Sequence, residues 1–193
     1  MSDNLYLQVP EYWFPKSYAD RVARLRVPCG FVLVAAFAWF SDPSPRALAV
    51  GIPISVVGLL IRGWAAGHLA KNQSLAVGGP YAFTRNPLYL GTLLVALGLV
   101  IASREPALAV LFAAAFGLVY LPAIELEEQH LRKLFPEYAS YAERVPRLGV
   151  RIPGESSGES FRLALYRKNQ EYQAAAGYLA GLALLVWKMW RSR

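Results

Sequence analysis

Two stretches of the chain carry residues whose types and order suit the recognition of a charged ligand. The first runs Gly78-Gly79-Pro80-Tyr81-Ala82-Phe83-Thr84-Arg85-Asn86-Pro87-Leu88-Tyr89-Leu90-Gly91. Its glycines and prolines fix a backbone turn. Pro87 disfavours helix at Asn86 yet suits the first turn of a following helix, so Arg85 and Asn86 stand where unpaired N–H groups point outward. Such an end attracts anions. A carboxylate-bearing ligand could be held there by Arg85, with Tyr89 one turn further on. Equally, Arg85 and Tyr89 could anchor a helix at lipid headgroups while Asn86 caps it. Spacing leaves both readings open.

The second stretch runs from Ile124 through Glu127, Glu128, His130 and Leu131 to Phe135. On a helix, Ile124, Glu128, Leu131 and Phe135 share one face, which places a carboxylate on an otherwise apolar stripe, with Glu127 at its border. Acidic residues at the edge of an apolar segment are costly and persist when they pair or bind something. A salt-bridged helix is the alternative, because Glu128 and Arg132 stand in the favourable i, i+4 order. Beyond it, Tyr138, Tyr141 and Arg144 or Val145 recur at helical spacing, either closing over a ligand or packing against headgroups.

The motifs that are absent narrow the chemistry. There is no GxGxxG, no GxxxxGK followed by Ser or Thr, no HExxH and no paired CxxC. With two histidines and one cysteine, a transition-metal site has too few ligands, so no metal is expected. Cys29, between Pro28 and Gly30, has no internal partner and reads as a packing residue. The net charge of +7 comes from basic residues flanking apolar blocks, which points to anionic lipid headgroups and away from nucleic acid.

The elements that position these residues are membrane spans. Of 193 residues, 55% are apolar and 17% charged, and the apolar ones come in long blocks. Five candidate spans cover about 27–40, 47–69, 88–102, 107–124 and 174–190. The third and fourth are joined by Ser103 to Pro106 and form a tight hairpin. Lys16, Arg21, Arg24, Arg26, Lys71, Arg85 and eight basic residues from Arg132 to Lys168 fall on one side, which the positive-inside rule makes cytoplasmic. Only Arg46 and Arg104 lie in the external loops. Lys188, Arg191 and Arg193 oppose this scheme, so the last helix either spans against the rule or lies along the interface.

The chain thus divides into an N-terminal interfacial amphipathic segment (1–26), a membrane core (27–153), and a flexible loop with a C-terminal apolar helix (154–193). No cleaved signal peptide is expected at the N-terminus. The pairs Gly63/Gly67 and Gly177/Gly181 have the spacing of close helix packing, which would also allow a homo-oligomer.

Together, these stretches resemble the isoprenylcysteine carboxyl methyltransferase and phospholipid N-methyltransferase superfamily, whose pattern is GPY-x-x-x-RHP-x-Y-x-G, a membrane hairpin, then EE-x-x-L-x-x-x-F-x-x-EY-x-x-Y. Gly79, Pro80, Tyr81, Arg85, Pro87, Tyr89 and Gly91 match the first part, and Glu127, Glu128, Leu131, Phe135, Tyr138 and Tyr141 the second. Glu137 is in register only if one residue is missing after Phe135. The family histidine is Asn86 here, and asparagine exchanges no proton near neutral pH.

The resemblance implies an all-α, polytopic membrane protein of the cytoplasmic (inner) membrane, with a cytoplasmic pocket for S-adenosylmethionine and a lipophilic acceptor arriving from the bilayer. Leu75, Ala76, Val77, Gly79, Pro80 and Tyr81 would line the adenosine. Arg85, Asn86, Tyr89 and Leu90 would hold the polar end, and Glu127 or Glu128 would pair with the ammonium. Arg85, Asn86 and Glu128 fall in the catalytic positions, and His130, Tyr138, Tyr141 and Arg147 on the substrate side. His130 or Glu128 is a candidate base for an amine acceptor. An NADPH-dependent membrane reductase of similar core and a non-catalytic cofactor-binding membrane protein are the alternatives.

Overall fold

Proline placement decides where most of the helices begin. The structure, a computed structural model, describes residues 14–152 and 160–191. Helix α1 covers Lys16–Phe40 and α2 Pro45–Ala66, and a 3₁₀ turn at Gly79–Ala82 leads to α3, Pro87–Ser103. A rod follows from α4 (Pro106–Ala115) through a π-helical segment (Phe116–Tyr120) into α5 (Leu121–Leu134). Short helices α6 (Tyr138–Arg144) and α7 (Leu163–Lys168) precede α8, Tyr172–Arg191. A proline stands in the first turn of α2, α3, α4 and α5, where its missing N–H has no helical partner to lose. Ser44 caps α2 by accepting Ala47 N–H, and Glu105 caps α4 by accepting Ala107 N–H. All described elements are helical.

Three helical stretches are long and apolar enough to cross a membrane, namely Lys16–Phe40, Pro45–Ala66 and Pro106–Leu134, and Pro87–Ser103 is a shorter apolar helix. The amphipathic lead-in and the first apolar block form one continuous helix with Pro28 inside it. Of that lead-in, Tyr12 and Trp13 lie outside the described residues, as does most of the 154–160 loop. The α3–α4 hairpin turns on Arg104 in the left-handed region, and Asp42 N–H donates to Ser103 O, so the α1–α2 loop meets this turn. The start of α1, the end of α2, the start of α3 and the end of α5 thus share one end of the bundle. The polar segments lie there.

Helices α2 and α3 form the tightest seam. A Cβ on Gly58 would sit 2.6 Å from Gly91 O, and Gly51 meets Gly98 in the same way about two turns along the seam. Small residues at the crossing let the two backbones touch. Of the pairs read from sequence as close-packing glycines, Gly67 abuts the Phe161 ring and Gly63 faces Tyr166 at 3.6 Å, so both meet the α7 region rather than a spanning helix. A Cβ on Gly177 or Gly181 would meet nothing within 4 Å. That pair lines open space.

Helix α8 runs the height of the bundle. Its start is fixed near the end of α2, where Asn169 Nδ2 donates to Ala66 O and Leu69 O at 2.9 Å each and Arg162 N–H donates to Gly67 O. Near its far end, Leu185 packs with Leu48 and Ala102, and Lys188 Nζ donates to Ala38 O and Trp39 O at 3.1 and 2.9 Å. A cation at the last carbonyls of α1 complements that helix's negative end. The basic residue that opposed a spanning α8 therefore serves as a cap on α1.

Candidate functional site

The Gly78–Tyr81 turn owes its sequence to what lies beneath it. Gly79 has φ +55°, and a Cβ there would sit 2.6 Å from His68 Nε2, so both conformation and space require glycine. His68 is held by its own contact from Nδ1 to Trp64 O. Past the turn, residues 81–86 are fastened to α6 and the segment that follows it. Arg85 N–H donates to Pro146 O at 2.9 Å, Arg151 N–H to Phe83 O at 3.0 Å, and Tyr141 Oη to Tyr81 O at 2.8 Å.

At the centre of this assembly is Glu128, 2% exposed. It accepts Asn86 Nδ2 at 3.1 Å and Arg147 Nε and Nη2 at 3.1 and 2.8 Å, and Arg85 Nη1 lies 3.6 Å away. Asn86 Nδ2 also donates to Arg147 O. Two guanidiniums and an amide therefore satisfy one carboxylate, and its charge is consumed within the protein. The neighbouring Glu127 points elsewhere. It is exposed, accepts Tyr89 Oη at 3.2 Å, and among the described residues makes no ion pair such as those that hold Glu128. Tyr89 Oη in turn accepts Arg26 Nη1 of α1 at 3.1 Å.

These groups surround a cavity of about 400 Å³. Of the residues singled out by sequence, Leu75, Ala76, Tyr81, Arg85, Asn86 and Tyr89 line one part of it and Glu127, His130, Tyr138 and Tyr141 another. Val77, Gly79, Pro80, Leu90, Glu128 and Arg147 do not line it. Lys71, Asn72 and Ser74, from the loop after α2, line it without having been singled out. Nothing in their local sequence marks them.

Three buried donors at this cavity, Tyr81 Oη, Arg85 Nε and Tyr138 Oη, have no hydrogen-bond partner among the described residues. Unpaired buried polar atoms are rare, and donors at a cavity wall are open to water or a ligand. The phenols stay neutral: burial, followed by the nearby Glu128 charge, pushes Tyr138 up to about 12. Burial likewise raises Tyr81 and Tyr141. The cavity thus offers one carboxylate bonded only to a tyrosine among the described residues, unsatisfied donors and an apolar wall from Leu69, Leu75 and Leu88. Such a set suits a zwitterionic ligand with a flat apolar part.

A second, apolar cavity of about 620 Å³ lies between α1 and α8, with walls that include Gly30, Phe37, Gly177 and Gly181. Tyr120, from the π-helical segment, lines it and meets Tyr89 edge to face at 6.5 Å between ring centres. Tyr89 and Tyr120 thus separate the polar cavity from the apolar one. Tyr18 Oη donates to Leu118 O at 2.8 Å, satisfying a carbonyl of the π segment that presents Tyr120.

Comparison with known proteins gives a family match to phospholipid methyltransferase over residues 48–138. The chain is similar to the cobalt-zinc-cadmium resistance protein CzcN of Cupriavidus metallidurans, 37% identical over 150 residues covering 71% of this chain and 68% of the relative. It is similar also to the nickel-cobalt-cadmium resistance protein NccN of Alcaligenes xylosoxydans xylosoxydans, 30% identical over 178 residues, 86% and 77% of the two chains. Protein-S-isoprenylcysteine O-methyltransferase B of Arabidopsis thaliana is 27% identical over 114 residues, 56% and 58% of the two chains. No solved structure matches.

Proposed function

The chain belongs to the membrane methyltransferase superfamily of phospholipid and isoprenylcysteine methyltransferases, and we propose that it uses S-adenosylmethionine to methylate a lipid or lipid-linked acceptor. The acceptor would be met at the cytoplasmic face of the cytoplasmic (inner) membrane, the side on which basic residues accumulate. The observation that carries the reading is the adjacency of two unlike cavities. One holds that carboxylate and unpaired donors, the other is apolar and lies within the helical bundle, and Tyr89 and Tyr120 stand between them.

The residues present fit the cofactor. Glu127, with no guanidinium on it, would take the ammonium, and Arg85, whose Nε is unpaired, the carboxylate. Leu75, Ala76 and Tyr81 would pack the nucleoside. When bound, S-adenosylmethionine supplies a sulfonium methyl: the S–CH₃ bond breaks as the acceptor–CH₃ bond forms, and the electron pair returns to sulfur. The protein's part is alignment and exclusion of water. Tyr89 and Tyr120 would place the acceptor's head at the cavity while its chain lies between α1 and α8. Glu128 is read as the support for Arg85, Asn86 and Arg147, and His130, which lines the cavity, as the group in reach of a proton on an amine. A carboxylate acceptor needs no base. Asn86 spends its amide on Glu128 and Arg147 O and moves no proton.

The two bacterial relatives are named for metal resistance. A similar role here would act through the product, because esterifying a carboxylate removes a negative charge that draws divalent cations to the membrane surface. The central test is calorimetric titration of the purified protein with S-adenosylhomocysteine, followed by incubation with labelled methyl donor and total membrane lipids. Binding that is lost in Arg85→Ala, and a labelled lipid, are expected. Failure to bind in several detergents sinks the proposal, whereas binding of NADPH in preference favours the reductase.

A further inference from the structure

Arg62 is a charged residue near the C-terminal end of the apolar helix α2, and the proposed chemistry gives it no part. Its guanidinium holds both oxygens of Glu171, Nε on one and Nη2 on the other, the latter at 3.0 Å. Its Nη1 donates to Leu88 O at 3.2 Å and to Thr92 Oγ1, within the first two turns of α3, which carry Tyr89. Gly91 is glycine because Arg62 passes beside it: a Cβ there would lie 2.5 Å from Arg62 Cγ. Glu171, 8% exposed, immediately precedes α8. Arg62 therefore joins the start of α8 to the wall of the polar cavity. At the other end, Lys188 joins α8 to the final carbonyls of α1. Between the two fastenings, Leu185 packs on Leu48 and Ala102, while the preceding turns of α8 present Gly177 and Gly181 to open space in the apolar cavity, where a Cβ would meet nothing within 4 Å.

We propose that Glu171, through Arg62, and Lys188, through α1, are acceptor-positioning residues: they pin the two ends of α8 and so align the apolar cavity with the methyl donor site. The inference rests on the methyltransferase reading above. It adds that the α7–α8 unit, outside the 48–138 family match, is a working wall of the acceptor site. A fork-shaped pair held by both carboxylate oxygens fixes direction as well as distance. Small displacements of a bound acceptor have large effects on rate, about a hundredfold per ångström.

The test uses the full chain in detergent, with S-adenosylhomocysteine as the cofactor probe. Dioleoylphosphatidylethanolamine and N-acetyl-S-farnesylcysteine serve as acceptor probes. Glu171→Gln and Lys188→Met should each lower kcat/KM for the acceptor by about tenfold or more. The Kd for S-adenosylhomocysteine should stay within about twofold in both, because neither residue lines the polar cavity. Glu171→Asp, which keeps the charge, should recover part of the loss. If Glu171→Gln does not fold, Lys188→Met carries the test from the exposed end. Cofactor affinity and acceptor turnover falling together with the folded fraction would mark a purely structural role and overturn the inference. So would unchanged turnover, or a loss confined to Glu171. A wild-type protein that binds no S-adenosylhomocysteine, or methylates neither acceptor, brings down the methyltransferase reading and the inference with it.

Discussion

Adjacent residues can divide the labour of one motif. Glu127 and Glu128 stand about 100° apart on α5, so one faces the cavity and the other the protein. Replacing Glu128 by Gln leaves Arg85 and Arg147 around a neutral amide, a loss of about 3–5 kcal/mol by analogy with broken buried pairs. Thermal unfolding in detergent should show it as a large drop in Tm. Glu127→Gln should leave Tm nearly unchanged and weaken S-adenosylhomocysteine binding by about tenfold or more in calorimetry. The tyrosines make a second prediction. Tyr138 is raised from 10.0 to about 12 by burial, so the folded state holds its proton more tightly than the unfolded state does. Stability from this group is fully present below pH 10 and is lost as pH rises through about 12. Tm measured across that window should fall less steeply in Tyr138→Phe. The helical wheel already separated Glu128, on the stripe with Ile124, from Glu127 at its border, and burial follows that division. What periodicity could not supply was the identity of the partners. Arg147 comes to Glu128 from beyond α6 and Arg26 to Tyr89 from α1, contacts that only the tertiary fold creates.

Helices in this protein meet where side chains are missing or where a charge reaches across. The α2–α3 seam depends on Gly51, Gly58, Gly91 and Gly98. Gly91→Ala places a methyl against Gly58 O and the Arg62 stem, and overpacking of that kind costs about 1–3 kcal/mol. Gly117→Ala, where a Cβ meets nothing within 4 Å, should be neutral or slightly stabilising. Paired melting curves of the two variants check the contrast. The sequence pattern did disclose the hairpin of α3 and α4, because a connection as short as Ser103 to Pro106 permits nothing else. Within the chain Gly177 and Gly181 do not take the close-packing role that their spacing suggests, because small residues four apart look the same whether they face a helix or an opening. Arg62 carries a legible signal of its own: an arginine inside an apolar run is costly unless a partner waits, and its partner is 109 residues away.

At the scale of the whole molecule, the polar segments gather at one end and α8 crosses to the other. The C-terminal end of α8 should therefore lie on the opposite side of the membrane from Ser140 in α6. In a Cys29→Ser background, a membrane-impermeant maleimide added outside intact cells should label a cysteine at Trp190 and spare one at Ser140. Labelling of Ser140 alone would reverse the proposed orientation. Charge counting left the last helix undecided because it treats each basic residue as facing lipid headgroups. Lys188 instead spends its charge on the end of α1, a use visible only once the two helices are side by side.

The opening between α1 and α8 also sets the dimension in which the proposed acceptor is encountered. A site that is approached sideways from a bilayer samples its substrate by surface density, so the meaningful concentration is a mole fraction among lipids. Spreading a fixed amount of acceptor over more inert lipid should slow turnover even though its amount per volume of sample is unchanged. The water-soluble methyl donor should obey ordinary bulk saturation throughout. Two substrates of one protein would then follow two different kinetic rulers, meeting at Tyr89 and Tyr120.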